Sequence, residues 1–187
     1  MKLLVVNNHS KHIKELLHKF REVKSIDFEN LENKNYDGYD AIILSGGSSL
    51  SVANYEKEYS KELHLIKNCQ KPILGICLGF ELINFAFGEE LKMLKQKEKG
   101  IVSIRLVSKD ELFKSLPKEF NVYEAHRWVV SKNKKLNSLA KSKDGIEAVK
   151  HPKKKIYGVQ FHPEIVIKKG HAKKIFKNFL NIGKLSE

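Results

Sequence analysis

Apolar and polar residues are arranged in two different ways along the 187-residue chain, and the change falls near its middle. In the first half, short unbroken apolar runs alternate with stretches of helical spacing. Leu3 to Asn7 is one such run, as expected of a strand covered on both faces. Lys11 to Arg21 places Ile13, Leu16, Leu17 and Phe20 on one helical stripe. Val23 to Phe28 is a weaker second strand, and Ala41 to Leu44 a third that runs into Ser45-Gly46-Gly47-Ser48. Tyr55 to Asn68 predicts a helix, Pro72 to Ile76 a fourth strand, and Leu78 to Phe87 a helix that stops at Gly88. Strands alternating with helices predict an α/β domain with a mostly parallel central sheet flanked by helices.

The second half is richer in strand signals. Ile101 to Val107 and Asn121 to Tyr123 predict strands. Glu147 to Lys150 and Ile156 to Phe161 predict a pair joined through His151 to Lys155. His171 to Leu180 predicts a closing helix with Ile175, Phe176 and Phe179 on its apolar face. No repeat or linker divides the sequence, so one domain over 1–187 is expected. In open α/β sheets, sites form beyond the carboxyl ends of strands. The loops after Leu44, Ile76 and Phe161 meet that rule.

Composition changes this picture in three respects. The longest apolar runs are far shorter than the roughly 20 residues of a membrane span. No targeting segment is evident, so a cytoplasmic location and no membrane partner are expected. Cys69 and Cys77 form neither a disulfide framework nor a metal-ligand spacing. The net charge of +13 admits a nucleic-acid partner, yet only three of the 35 basic side chains are Arg (Arg21, Arg105 and Arg127). Arg supplies the planar fork that reads phosphates and bases, so nucleic acid is not expected as the natural partner.

Three motifs can carry chemistry. Gly75-Ile76-Cys77-Leu78-Gly79 lies between an apolar strand and a helix. The glycines permit a sharp turn that lifts the sulfur out of the sheet, and the helix N-terminus favours thiolate over thiol. The same residues also suit a buried cysteine between packing glycines. Gly158-Val159-Gln160-Phe161-His162-Pro163-Glu164 puts a histidine at the end of a strand with a carboxylate two residues on. A thiol nucleophile needs such a base and such an orienting group; a solvated turn is the alternative. Ser45-Gly46-Gly47-Ser48 offers backbone N–H groups for an oxyanion, or is a plain turn.

Taken together, the order strand–Gly-Gly, strand–Cys elbow, strand–His-Pro-Glu resembles the class I glutamine amidotransferases over nearly the whole chain. It is most similar to the stand-alone subunits of archaeal type. The resemblance implies a flavodoxin-like fold and a catalytic triad of Cys77, His162 and Glu164. It also implies an oxyanion hole from the backbone of Gly47 and Leu78, and substrate contacts at Gly46, Gly47, Glu81, Ala125 and His126. The partners implied are glutamine and a separate ATP-dependent synthetase subunit that receives the ammonia, with no cofactor and no metal. Three segments depart from the family pattern. Phe80-Glu81 stands where His-Gln is usual. Ala125-His126-Arg127-Trp128 replaces a Ser-His segment followed by Asp. Asn7-Asn8-His9-Ser10-Lys11-His12 replaces an Asp-x-Gly-x-Gln-Tyr signature. Glu81, four residues after Cys77, shares its helix face. A carboxylate there is expected to raise the thiol pKa and repel an anionic substrate group. Three other readings stay open: a γ-glutamyl or amide hydrolase of different substrate, a paralogue serving another synthetase, and a non-catalytic regulatory or nucleic-acid-binding relative.

Overall fold

The structure is a computed structural model that describes residues 1–32, 36–47, 50–52, 54–165 and 171–184. Nine strands form one sheet: β1 (Leu3–Asn7), β2 (Val23–Asp27), β3 (Ala41–Leu44), β4 (Ile73–Ile76), β5 (Leu91–Leu106), β6 (Glu119–Val130), β7 (Asn137–Lys141), β8 (Ile146–Lys150) and β9 (Ile156–Val159). The described helices are α1 (Ile13–Leu17), α2 (Ser60–Asn68), α3 (Leu78–Ala86) and α4 (Ala172–Lys184). Among them no helix is long and apolar enough to cross a membrane.

The strand order is β2-β1-β3-β4-β9-β8-β6-β5-β7. Pairing is parallel from β2 through β9 and antiparallel from β9 onward. The expectation of a mostly parallel sheet is therefore corrected: the sheet is mixed, parallel on one side of β9 and antiparallel on the other. The physical reason lies in the connections. β1, β3 and β4 are followed by long crossovers, whereas β7, β8 and β9 are joined by turns too short for a parallel return. Because β7 also pairs with β8, the strands β8, β6, β5 and β7 close on themselves.

Two apolar layers cover the parallel half. On one face, Leu3, Val5, Leu74 and Val159 pack with Phe176 and Phe179 of α4. On the other, Leu4, Ile42 and Leu44 pack with Ile66 of α2 and Phe80 and Ile83 of α3. Burying one such side chain contributes roughly 1.5–3 kcal/mol. Helix α3 lies directly behind the β4 elbow and is buried on nearly every side, which fixes the residue at its start.

Several boundaries differ from the sequence expectation. The helix expected over Lys11–Arg21 is only α1, Ile13–Leu17. It has no side-chain cap at His12, and Phe20 instead packs edge-on against Phe176 at 5.3 Å. α2 starts at Ser60 rather than Tyr55. β5 and β6 are far longer than expected, and β7 was not expected at all. Most side chains of β5 are solvated or half-solvated, so its lysines and glutamate interrupt any apolar alternation.

Candidate active site

The site is built first by the elbow. β4 ends at Ile76 and α3 begins at Leu78, leaving Cys77 alone between them with φ 49° and ψ −101°. A side chain in this region is strained and persists only where its surroundings over-determine it. Here the Cys77 N–H donates to the Val159 carbonyl at 2.9 Å, and the Cys77 carbonyl accepts from Glu81 N–H at 3.0 Å. On the flanks, a Cβ on Gly75 would strike the Gly79 carbonyl, and one on Gly79 the Leu44 carbonyl. Those close approaches explain the two glycines better than backbone freedom does.

His162 follows β9. Its N–H donates to the Tyr123 carbonyl at 2.8 Å, tying it to β6. Its Nδ1 lies 2.8 Å from Glu164 Oε1. An Nδ1–H donated to that carboxylate leaves Nε2 with a lone pair. Nε2 is buried and has no hydrogen-bond partner among the described residues. Gly46 sits between imidazole and thiol: a Cβ there would lie 3.2 Å from His162 Cε1 and 3.5 Å from Cys77 Cβ. A Cβ at 46 would press the His162 ring back by a few tenths of an ångström while meeting Cys77 in ordinary contact. Gly47 follows under a different constraint, since its Cβ would collide with the Asn8 carbonyl and crowd Leu78. The Leu78 N–H bonds to the Cys77 sulfur. Ser48, the last residue of the Gly-Gly segment, lies outside the described residues.

The Gly-Gly turn has polar support that the sequence did not disclose. Asn8 N–H donates to Ser45 Oγ at 2.9 Å, and Asn8 Nδ2 reaches the Ser45 carbonyl at 3.1 Å and Glu62 Oε1 at 3.2 Å. Two further unforeseen residues border the thiol and the base. Gln160 Nε2 lies 4.0 Å from Cys77 Sγ. The His12 ring meets the His162 ring edge-on at 5.6 Å. Asn8 and His12 stand within the segment that departs from the family signature, which is the signal that could have singled them out. Gln160 carried no separate signal because it alternates with core residues.

The electrostatics correct one expectation. The thiol is not held as a thiolate: burial pushes the Cys77 pKa well above its ordinary value, with Glu81 and Glu164 adding to the rise. The Leu78 N–H and Lys97 act the other way and do not prevail. Desolvation of an ion by full burial outweighs the partial charge at one helix end. Glu81 is buried with it, 5% exposed, and burial raises its carboxyl to about 8 against a bond from Gln160 that lowers it. At neutral pH Glu81 is therefore mostly a neutral acid. It then offers one donor and one acceptor, much as an amide does. The repulsion expected from a carboxylate is confined to more alkaline conditions.

Not every candidate converges. Ala125 is half-buried on β6 and pairs with Lys99. His126 turns into the interior, with Nε2 3.0 Å from Glu124 Oε2 and Nδ1 3.1 Å from the Trp128 carbonyl. Among the described hydrogen bonds none links His126 to Cys77 or His162. Cys69 is a buried free thiol at the end of α2, remote from any elbow. A cavity of about 810 Å³ lies beside Leu106–Lys118, and Cys77 is not among its lining residues.

A family model described as glutamine amidotransferase class-I matches residues 4–182. A glutamine-hydrolyzing GMP synthase subunit of Archaeoglobus fulgidus is 32% identical over 98% of this chain and 100% of its own length. The protein of the same name from Pyrococcus furiosus is 40% identical over 75% of this chain and 74% of its own. A solved Thermoplasma acidophilum structure, provisionally assigned as a GMP synthase subunit, superimposes with a TM-score of 0.88 at 26% identity, covering 100% of this chain and 95% of that one. A match across that span, with relatives at these identities, places the chain in the class I glutamine amidotransferase family.

Proposed function

We propose that this chain is the glutamine-hydrolysing subunit of a two-chain GMP synthetase, a single amidotransferase domain over 1–187 with a flavodoxin-like parallel half. In this reading Cys77 attacks the γ-carbonyl of glutamine. His162 Nε2 takes the thiol proton and then returns it to departing ammonia, and Glu164 orients the imidazole. The backbone N–H groups of Gly47 and Leu78 stabilise the oxyanion. Water, activated by the same imidazole, then cleaves the thioester to glutamate. Gly46, Gly47, Glu81 and Ala125 remain the proposed substrate contacts, with Glu81 acting as a neutral acid, whereas the His126 side chain is turned into the interior. The observation that carries the reading is the strained Cys77 elbow facing a His162–Glu164 pair across Gly46.

The protonated resting thiol has a consequence. A buried, neutral thiol is a poor nucleophile, so the isolated chain is a slow glutaminase. Docking of the ATP-dependent synthetase subunit, in the cytoplasm, would reshape the site and make hydrolysis productive only where ammonia is received. The test is ammonia release from glutamine by the chain alone and with the GMP synthetase subunit from the same organism. Stimulation by that partner supports the reading, and no glutamine-dependent ammonia under either condition refutes it. A second reading, hydrolysis of another γ-glutamyl amide, is favoured by Glu81 standing where the family has a neutral amide. Activity on such an amide without activity on glutamine would select it.

A further inference from the structure

A second cluster of reactive side chains lies on the far side of β9 from the elbow strand β4. Glu124 and His126 alternate along β6, and Glu147 comes from β8, two strands that are neighbours in the sheet. One ligand atom from each lies within 4.8 Å of the others, and all three residues are buried, at 0%, 3% and 0% exposure. The ladder between β6 and β8 is nearly absent at this place, with Val130 and Ile146 the one register pair. The three side chains thus fill a gap that backbone hydrogen bonds leave open.

Three observations separate this trio from an ordinary buried acid. Its carboxyls have few partners: Glu124 Oε1 and Glu147 Oε2 are fully buried with no donor group beside them, and the two carboxyls approach one another within hydrogen-bond reach. The buried polar side chains among the described residues include no Lys or Arg, so no buried cation neutralises the two acids, and the exposed Lys143 has the weakest influence named for Glu124. The imidazole is also already set for ligation. His126 Nδ1 faces the Trp128 carbonyl at 3.1 Å, which calls for a proton on Nδ1; in the neutral ring that burial favours, Nε2 then carries a lone pair. That lone pair points at Glu124 Oε2, 3.0 Å away, a contact that either a carboxyl proton or a cation must bridge. A histidine anchored through its second nitrogen to a carbonyl is the usual arrangement around a bound metal. Glu147 is steadied in turn, through Oε1, by the Ser142 hydroxyl at 2.6 Å.

We infer that Glu124, His126 and Glu147 form a binding site for one divalent first-row cation of the zinc type, which ties β6 to β8 behind the active site. Two carboxylates balance a double positive charge, and a neutral imidazole with oxygen donors suits zinc chemistry. A bidentate carboxylate, using one of the unpartnered oxygens, completes the coordination. The main-chain bond from Gln160 N–H to the Glu147 carbonyl, 2.8 Å, links the site to the residue just after β9 whose side chain borders the Cys77 sulfur. The inference does not depend on the amidotransferase reading, because metal binding is measured without turnover.

The test uses the full chain carrying Cys77→Ala, stripped with chelator, so that the thiol cannot bind metal. It is titrated with Zn²⁺ by calorimetry and with Co²⁺ by ligand-field absorption. The expected result is one saturable equivalent and a rise in Tm. Glu147→Gln and His126→Gln should each weaken Zn²⁺ binding by ~100-fold or more, the upper end of what even outer-sphere losses cause. If either variant fails to fold, X-ray absorption of the Zn²⁺-loaded Cys77→Ala chain decides in its place. One imidazole with oxygen donors supports the site, and several imidazoles or a sulfur donor overturns it. Absence of saturable uptake by the folded Cys77→Ala chain, or uptake unchanged by Glu147→Gln, also overturns it and leaves two carboxyls sharing protons.

Discussion

The two sides of β9 solve the problem of burial differently. On the parallel side, β1, β3 and β4 bury Leu, Val, Ile, Ala and one Gly, and their work is to hold the elbow still. On the antiparallel side, the inward row of β6 starts with Phe120 and Val122 and continues with Glu124 and His126. The first region is a scaffold whose chemistry is confined to strand ends. The second inserts titratable groups into its interior, where they are costly unless paired. Cys77 and His162 belong to the scaffold side, and the departure from the family pattern at Ala125–Trp128 belongs to the other.

The sharpest break of this comparison is at the elbow itself. Cys77→Ala should lower amide hydrolysis by at least ~10³-fold, with His162→Ala close behind, because the two act as a unit. Cys69→Ala should leave the rate within about twofold, since that thiol sits at the end of α2, where its sulfur accepts from the Lys71 N–H. Steady-state ammonia release measures all three. Next in size, Gly47→Ala should cost about 10²-fold in kcat by displacing an oxyanion donor against Asn8. Gly38→Ala, where a Cβ meets nothing within 4 Å, should be neutral to slightly stabilising.

Glu81 sharpens the comparison through pH. With its carboxyl raised to about 8, Glu81 is neutral below that pH and anionic above it. Glu81→Gln should therefore change kcat/KM for glutamine little at pH 7. Above pH 8 wild type should fall relative to the variant, as the new charge opposes both thiolate and substrate carboxylate. Parallel pH profiles for the two proteins would contradict this. The smallest effect concerns stability. Glu62, wholly buried behind the Gly-Gly turn, is raised by burial to about 8. A carboxyl whose folded pKa exceeds its unfolded one keeps its proton only in the native state across the interval between them. Its stabilising contribution is full below about 4.5 and is lost as pH rises through about 8. Thermal melts should show wild type losing more Tm than Glu62→Gln between pH 5.5 and about 8.5.

How much of this was legible follows the same division. Unbroken apolar runs betray strands buried on both faces, so β1, β3, β4 and β9 stand within a residue or two of their expected places. The elbow and the His-Pro-Glu segment were legible because each motif is local and sits at the end of such a run. β5 and β6 were truncated because period-2 alternation fails when an inward row passes from Phe120 and Val122 to Glu124 and His126. The Glu124–His126–Glu147 cluster was invisible for a related reason. Its members are joined by a curled sheet rather than by spacing, and no ligand pattern spans 124, 126 and 147. Glu81 was located correctly on the helix face of Cys77, but its neutral state depends on burial, which the sequence does not display.

The central claim is that Cys77 is the thiol that attacks glutamine. A diazo-ketone analogue of glutamine reacts with such a thiol in the geometry of the first chemical step. After incubation with the synthetase subunit present, peptide mass spectrometry should find one equivalent of label on Cys77, none on Cys69, and protection by glutamine. Equal labelling of the two thiols, or labelling of Cys77 that glutamine does not prevent, would contradict the account.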